Sequence, residues 1–264
     1  MNRGDFLKRS LVYGGTTGLA IMEAGAAASL ISACTASDKY DAVIANGWIY
    51  AGDGKEPLLG SVGIKGGKIA AIGNLGSIED LRRECKTVVD AKEMAVTPGF
   101  IDIHSHSDTN YFDCPLGDSR IYQGITTEVC GNCGDSPFPY SDQKYAEHTD
   151  ELRHGYPYWQ DADGYLDALR KNKVGVNFLS YVGFGMLRSA VVGDNNVPPT
   201  KEQLDKMCQL LDHEMEVGII GMSTGLEYTP DAYASTDEIA ELCKVVAKHN
   251  GLFAIHMRNE DDYV

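Results

Sequence analysis

The chain has 264 residues, of which 43% are hydrophobic and 23% are charged. A globular chain of this length can bury one large core, or a small domain together with most of a larger one. Its formal net charge of -15 argues against nucleic acid or an anionic membrane surface as the main partner, because both would repel it.

Residues 1–34 are typical of a secretory signal that ends in a lipobox. Three basic residues precede an apolar, glycine- and alanine-rich run from Leu11 to Leu30, and Ile31-Ser32-Ala33-Cys34 follows it. The cysteine of a lipobox receives a lipid and becomes the mature N-terminus. We therefore expect Cys34 to be lipidated. The protein would then be an exported periplasmic or cell-envelope lipoprotein that meets the membrane only through this anchor.

Other interpretations of this leader are a transmembrane anchor or a buried helix. Both are disfavoured because the apolar run is rich in glycine and is interrupted by Glu23. The segment from Arg3 to Lys8 also resembles a twin-arginine signal in which Gly4 stands in place of the second arginine. The export route therefore stays open between the twin-arginine and the general secretory pathways.

Six further cysteines follow the leader. An even number in an exported protein permits disulfides, but a chain of this length does not need them and the spacings form no dense framework. We predict mostly free thiols for Cys85, Cys114, Cys130, Cys133, Cys208 and Cys243.

Residues 35–97 are predicted to form a small β-domain. Glycine-containing turns at Asp53-Gly54 and Lys65-Gly66-Gly67-Lys68 favour hairpins, because glycine adopts positive φ without steric cost. The apolar runs between the turns predict strands at Ala42–Ala45, Trp48–Tyr50, Val62–Ile64, Ile69–Ile72 and Thr87–Val89.

Residues 98–264 change to apolar strand-like runs that alternate with helical patterns. The clearest helices are Lys201–Val217 and Thr236–His249, the second with its N-cap at Thr236. Strands are predicted at Phe100–His104, Ile125–Cys130, Val174–Val182, Gly218–Ser223 and Leu252–His256. Strands that alternate with helices form parallel βα units, so the pattern predicts an α/β fold and an incomplete (β/α)8 TIM barrel of about five strands.

The segment Pro98–His106, which reads PGFIDIHSH, carries the clearest chemical pattern. Residues two apart on a strand point to the same face, so His104 and His106 would converge where the first barrel strand ends. Barrel active sites lie at this end, and paired imidazoles suit a metal ion. Two polar histidines in a surface loop are the plainer alternative. Asp102 is a candidate to support the metal ligands, and Asp108 is a weaker one.

The sequence resembles the amidohydrolase superfamily, in which a His-x-His pair ends the first barrel strand after a small β-sandwich domain. Three further segments resemble the D-aminoacylase (N-acyl-D-amino-acid deacylase) family. They are Gln123–Gly134 (QGITTEVCGNCG), Gly221–Tyr228 (GMSTGLEY) and Ala254–Glu260 (AIHMRNE). The resemblance runs from about residue 40 to the end of the chain. It implies that residues 35–97 belong to a β-sandwich.

The resemblance implies a metal centre with one or two divalent ions, most simply zinc. Its ligands would be His104, His106, Cys133 and His256, and Tyr228 would help to bind the carboxylate of the substrate. Thiolate and imidazole ligands suit zinc. Within this sequence no general base is assigned, because the family's catalytic aspartate is expected beyond Val264, together with another histidine ligand.

Each of these assignments has a plainer alternative. Cys130 and Cys133 form a Cys-x-x-Cys that could be a disulfide, a redox pair or an inert thiol pair. His256 could be a core histidine at a strand end, and Tyr228 an ordinary loop tyrosine. The sequence also departs from the family at Phe184, where relatives often have histidine, so we expect a polar group to be missing at the mouth of the third strand.

The implied function is metal-dependent hydrolysis of N-acyl-D-amino acids, which releases a D-amino acid and a carboxylate. We expect the chain to be the N-terminal portion of a longer enzyme and to be inactive alone. Alternatives are a cyclic amide hydrolase of the dihydropyrimidinase or dihydroorotase kind, or an inactive truncated protein that binds a metal ion or a partner subunit.

Overall fold

The structure, a computed structural model, describes residues 39–148, 152–153 and 155–261. The predicted signal and its lipidation site Cys34 lie outside the described residues. The chain divides into two compact units between Gly99 and Phe100, and each is described by itself. No helix in the described residues is long and apolar enough to cross a membrane.

The unit that ends at Gly99 contains one five-stranded sheet and one helix among its described residues. The strands are β1 (Tyr40–Ile49), β2 (Leu58–Lys65), β3 (Lys68–Gly73), β4 (Cys85–Asp90) and β5 (Ala95–Val96), and the helix is α1 (Ile78–Glu84). The strand order is β3-β2-β1-β4, and β5 also pairs with β1. β1, β2 and β3 are antiparallel neighbours, whereas β4 and β5 run parallel to β1.

Both predicted hairpins form in this sheet, but two of the predicted strands are one. The run Ala42–Ala45 falls on β1, and so does the run Trp48–Tyr50 except for its last residue. A β-bulge interrupts β1 between Ile44 and Gly47. Asn46 lies at this bulge with a φ of 57°, a conformation that asparagine tolerates better than most residues. The bulge explains why the apolar pattern is broken although the strand continues.

The helix of this unit packs on one face of the sheet. Ser77 is its N-cap and accepts a hydrogen bond from the Asp80 amide, so the helix begins where the side chain satisfies a free N–H group. Leu81 of the helix is buried with Val43 of the sheet. The sequence analysis does not predict helix α1. Only one of its residues is fully buried, so the helix shows little apolar periodicity.

The unit that begins at Phe100 is built on parallel strands. They are β6 (Phe100–Asp102), β7 (Ile125–Cys130), β10 (Asn177–Ser180), β11 (Val182–Gly183), β12 (Gly221–Gly225) and β13 (Leu252–His256). Hydrogen bonds join β6, β7 and β10 in one sheet and β11, β12 and β13 in another. Only Tyr181 separates β10 from β11, so the chain passes directly from one sheet to the other. The predicted α/β class is thereby confirmed.

Helices and a small hairpin connect these strands. The hairpin is formed by β8 (Leu152–Arg153) and β9 (Tyr156–Pro157). The helices are α2 (Asp118–Ile121), α3 (Asp142–His148), α4 (Ala162–Asn172), α5 (Phe184–Val191), α6 (Lys201–Val217) and α7 (Thr236–Lys248). A core rich in aromatic residues includes Tyr111, Phe138, Trp159, Tyr165 and Phe184.

Several predicted boundaries in this unit are wrong. The first strand ends at Asp102 rather than His104, and the third is divided into β10 and β11. Helix α6 has the predicted bounds, because Thr200 and Gln203 form a reciprocal capping box at its start. Ser235, not Thr236, is the N-cap of α7 and accepts a hydrogen bond from the Glu238 amide. The shorter helices are not predicted, since their amphipathic pattern spans few turns.

Candidate metal centre

The two histidines of the first motif lie in the loop that follows β6, not on the strand itself. Asp102 accepts a hydrogen bond from the backbone amide of His104 at 3.1 Å, which fixes the start of the loop. The two exposed imidazole rings still converge, with their centroids 5.4 Å apart and their planes at 67°. The predicted meeting of His104 and His106 at the end of the strand is therefore observed, although the backbone has left the sheet.

Cys133 lies beside this pair on the segment Gly131–Gly134, here called the Cys133 loop, which follows β7. Its Sγ atom lies 3.4 Å from Nε2 of His104. One ligand atom each from His104, His106 and Cys133 falls within 4.8 Å of the other two. Two imidazoles and a thiol are a nitrogen and sulfur donor set of the kind that zinc prefers, so these residues fit the implied metal.

The backbone of the Cys133 loop is held in an uncommon conformation. Cys133 has a φ of 55°, in the left-handed region that few residues other than glycine adopt.

The pKa of the Cys133 thiol is raised. Burial is the largest cause, and it is followed by the nearby carboxylates of Glu260, Asp135 and Asp231. The thiol therefore keeps its proton in the metal-free protein, and a metal ion would displace that proton on binding.

Cys130 does not share this environment. It is fully buried in the hydrophobic core, and burial raises the pKa of its thiol to about 12. Both it and Cys133 are free thiols, so the disulfide alternative is not observed. All six cysteines of the described residues are free, as predicted.

A buried carboxylate supports the loop that carries the two histidines. Glu128 on β7 is fully buried and accepts hydrogen bonds from the Ser105 and Ser107 hydroxyls at 2.7 and 3.1 Å. It also accepts from the Tyr111 hydroxyl, and from Nε of Arg120 at 2.9 Å. These four hydrogen bonds replace the hydration that the carboxylate loses when it is buried.

The balance of these effects decides the charge of Glu128. Burial alone raises its pKa, but the hydrogen bonds from Tyr111, Ser105 and Arg120 outweigh burial and hold the pKa below the usual range. Glu128 is therefore ionised at neutral pH. Ser105 and Ser107, the serines on either side of His106, therefore donate their hydrogen bonds to a charged carboxylate.

Asp108 also acts through the backbone. Its carboxylate accepts a hydrogen bond from the amide of Gly131 at 3.3 Å, at the start of the Cys133 loop. Burial raises the pKa of this carboxyl. The two predicted supports thus contact the backbone of the loops and not the side chains of the candidate ligands. Asp102 binds the loop of His104 and His106, and Asp108 binds the Cys133 loop.

His256 is the last residue of β13 and does not join the three-residue cluster. Its Nε2 lies 3.2 Å from a carboxylate oxygen of Glu227 and 3.5 Å from one of Glu260. The ring of Tyr228 meets it edge to face, with centroids 4.9 Å apart. The predicted ligand His256 and the predicted substrate-binding residue Tyr228 are therefore neighbours, and the Tyr228 side chain is half exposed.

Phe184, where the sequence departs from the family pattern, directly follows β11. Its side chain is fully buried in the hydrophobic core at the first residue of α5. The residue contributes apolar packing, because the helix begins immediately after the strand and turns the ring inward.

Two buried acidic residues near the site, Glu128 and Asp231, are missed by the sequence reasoning. The sequence could have indicated Glu128, because an acidic residue within an apolar strand needs a hydrogen-bond or charge partner when it is buried. Asp231 lies in a short 3-10 turn, Asp231–Tyr233, and no pattern sets it apart.

Comparison with known proteins gives a consistent result. The model of the "Amidohydrolase family" matches residues 87–257. Over 230 residues the chain is 37% identical to D-aminoacylase from Alcaligenes xylosoxydans xylosoxydans, an alignment that covers 86% of this chain and 46% of that protein. The chain thus spans about half the length of the curated relatives it matches.

Two solved structures are similar over the same region. One is N-acyl-D-glutamate deacylase from Bordetella bronchiseptica, complexed with zinc and a phosphonate that mimics the tetrahedral intermediate. It has a TM-score of 0.75 and 34% identity over 85% of this chain and 46% of that one. The other is a D-aminoacylase with a binuclear metal centre, with a TM-score of 0.74, 33% identity and the same coverage.

Proposed function

The chain belongs to the amidohydrolase family, and we propose that it forms the metal-binding part of a hydrolase that cleaves the amide bond of N-acyl-D-amino acids. The observation that carries this proposal is the convergence of His104, His106 and Cys133 from two strand ends. The similar D-aminoacylase and N-acyl-D-glutamate deacylase support the substrate class. Because the chain spans about half of their length, the activity is proposed for the whole protein.

The same family membership supports a proposal about architecture. The five parallel strand positions, from β6 to β13, follow one another in space in the order in which they occur in the sequence. This is the order of neighbouring strands in a (β/α)8 barrel, whose active site lies at the carboxyl ends of the strands. We propose that they are the first five of eight strands. The sheet of the other unit would be one layer of a β-sandwich.

The residues that would hold the metal are His104, His106 and Cys133, with His256 as a further ligand. The chemistry supplied by a bound zinc ion is polarisation of the amide carbonyl and activation of a water molecule. One or two divalent ions are proposed, in line with the zinc and the binuclear centre of the two similar structures.

The remaining side chains orient the ligands and the substrate. Glu128 holds the loop of His104 and His106 through Ser105 and Ser107. Glu227 holds the ring of His256. Tyr228 is half exposed, and its phenol hydroxyl is suited to donate a hydrogen bond to the carboxylate of an N-acyl amino acid.

Metal content tests the site. We expect the purified chain to carry zinc by elemental mass spectrometry, and Cys133→Ala to carry markedly less. Cys130→Ala is the matched control, since it removes a nearby thiol that is buried in the core. Equal zinc in all three proteins would contradict the assignment of Cys133.

Substrate assays of the whole protein test the reaction. We expect hydrolysis of N-acetyl-D-amino acids and not of the L-enantiomers. Hydantoins and dihydrouracil are the controls, because the main alternative is a cyclic amide hydrolase. Activity on the cyclic amides alone would overturn the proposed substrate class.

Export remains a proposal of its own. It is supported by the basic residues, the apolar run and Cys34 at the end of the leader. Labelling with a radioactive fatty acid in cells should mark the wild-type protein and not Cys34→Ser. Recovery of unlabelled wild-type protein from the cytoplasm would contradict the lipoprotein assignment.

A further inference from the structure

Asp231 is a buried carboxylate with a precise set of contacts. It opens the 3-10 turn Asp231–Tyr233, and only 3% of its surface is exposed. Its Oδ2 atom accepts a hydrogen bond from the backbone amide of Gly225 at 2.7 Å. Gly225 is the last residue of β12, so this bond ties the turn to the carboxyl end of that strand.

The same carboxylate also lies against two other backbone segments. A methyl group added to Gly134 would overlap with Oδ2 of Asp231, and one added to Gly185 would overlap with Oδ1. Gly134 ends the Cys133 loop with a φ of 76°, and Gly185 lies in the first turn of α5. The amide of Gly185 donates to the carbonyl of Gly134 at 3.0 Å. Asp231 therefore fills the space at the point where three chain segments meet.

Ser223 completes the support of the Cys133 loop from β12. Its hydroxyl accepts a hydrogen bond from the amide of Gly134 at 3.0 Å and donates to the carbonyl of Gly131 at 2.5 Å. Both ends of the loop are thus bound to one side chain. A methyl group on Gly225 would overlap with the carbonyl oxygen of Cys133, so the loop lies directly on the strand that Asp231 holds.

These contacts explain how Cys133 keeps its left-handed backbone conformation. A non-glycine residue in this region is unfavourable by itself and persists only where its surroundings fix it. We infer that Asp231 is a positioning residue for Cys133: its carboxylate holds Gly225 and buttresses Gly134, and thereby places the thiol beside His104. The inference rests on the proposed function, since it takes Cys133 to be a metal ligand.

Replacement of Asp231 by alanine should loosen the loop without removing any proposed ligand. The buried amide of Gly225 would lose its acceptor, and the support behind Gly134 would be gone. Residues that orient a metal ligand from behind change metal affinity by about 10–100-fold when they are replaced. Asp231→Asn keeps an oxygen acceptor of the same shape and should restore most of the affinity.

The experiment measures cobalt(II) binding to the full chain by absorbance, because a cobalt–thiolate charge-transfer band reports directly on Cys133. Asp231→Ala should bind cobalt about 10–100-fold more weakly and with a weaker charge-transfer band. Asp231→Asn should stay within about threefold of the wild type. The control is Leu211→Ala, a cavity variant in the core of the same unit, which should lower the melting temperature but keep the affinity and the band.

The outcomes separate this inference from the proposed function. Cobalt binding by Asp231→Ala with wild-type affinity and an unchanged band would overturn the positioning role. An equal loss in Leu211→Ala would also overturn it, because the effect would then follow global stability. If wild type and Cys133→Ala give the same spectrum, the assignment of Cys133 fails, and with it the proposed metal centre.

Discussion

The thiol of Cys133 lies 3.4 Å from Nε2 of His104, although 29 positions of sequence separate the two residues. A single zinc ion can contact both atoms, because Zn–S and Zn–N bonds of about 2.3 and about 2.0 Å together exceed that separation. The contact exists because β6 and β7 are parallel neighbours whose carboxyl ends meet at the same edge. The loops that leave those ends bring the imidazole to the thiol.

Zinc should protect Cys133 from alkylation. Without metal the half-buried thiol reacts slowly, because burial and nearby carboxylates raise its pKa and the thiolate is the nucleophile. With zinc bound we expect the rate to fall by at least about tenfold more. Mass spectrometry after timed iodoacetamide treatment measures this. The exposed Cys114 is the control and should react equally with and without zinc.

His256→Ala should weaken zinc binding by about tenfold or more if this residue joins the cluster as a ligand. In the structure its Nε2 faces Glu227, so metal binding through this atom requires the imidazole to exchange a carboxylate for the ion. Competition with a chelating dye measures the affinity. His249→Ala removes another carboxylate-paired histidine, which lies 2.6 Å from Asp212, and should leave zinc affinity unchanged. Equal affinities in both variants would exclude His256 from the ligand set.

Glu128→Ala should lower the free energy of unfolding by about 3 kcal/mol, because it leaves Arg120, Tyr111 and two serines without their shared acceptor. Urea unfolding followed by circular dichroism measures the loss. Asp205→Ala is the control. It breaks an exposed ion pair with Lys201 and should cost less than about 0.5 kcal/mol. Similar losses in the two variants would show that the Glu128 network contributes little.

Glu214 should make the protein less stable as the pH rises. Burial raises the pKa of this carboxyl from an ordinary value of 4.5 to about 8, despite a hydrogen bond from the Ala162 amide that favours the ionised form. Its other oxygen is buried and has no hydrogen-bond partner within the described residues. Between about pH 4.5 and about pH 8 the folded state holds a proton that the unfolded state has lost, so stability falls across this interval.

Glu214→Gln should remove this dependence, because the amide cannot ionise and still accepts from Ala162. Between pH 5 and pH 8 the wild-type melting temperature should fall by at least about 2–4 °C more than that of the variant, the shift that about 1 kcal/mol produces in a chain of this size. Thermal unfolding at several pH values measures it. Glu216→Gln, exposed on the same helix, should follow the wild type. Parallel curves for wild type and Glu214→Gln would refute the raised pKa.

Much of the fold follows from local patterns in the sequence. β7, β13 and α6 have the predicted bounds, because a short apolar run or a capping box sets each of them within a few residues. The convergence of His104 and His106 is also local, since two positions separate them. Although β6 ends before His104, the alternation of side chains along an extended segment still predicts correctly that His104 and His106 lie together.

The sequence by itself therefore determined the α/β class, the histidine pair and the family resemblance that points to Cys133. Only the tertiary structure decided which side chains compensate buried charge and which residues hold the loops. Asp231 lies against Gly134, although 97 positions of sequence separate them. Glu128 accepts hydrogen bonds from Arg120 and from the two serines. The side chain of Phe184 packs in the core. The physical reason is that burial penalises an unpaired polar group, and the partner that removes the penalty is set by which strands lie side by side.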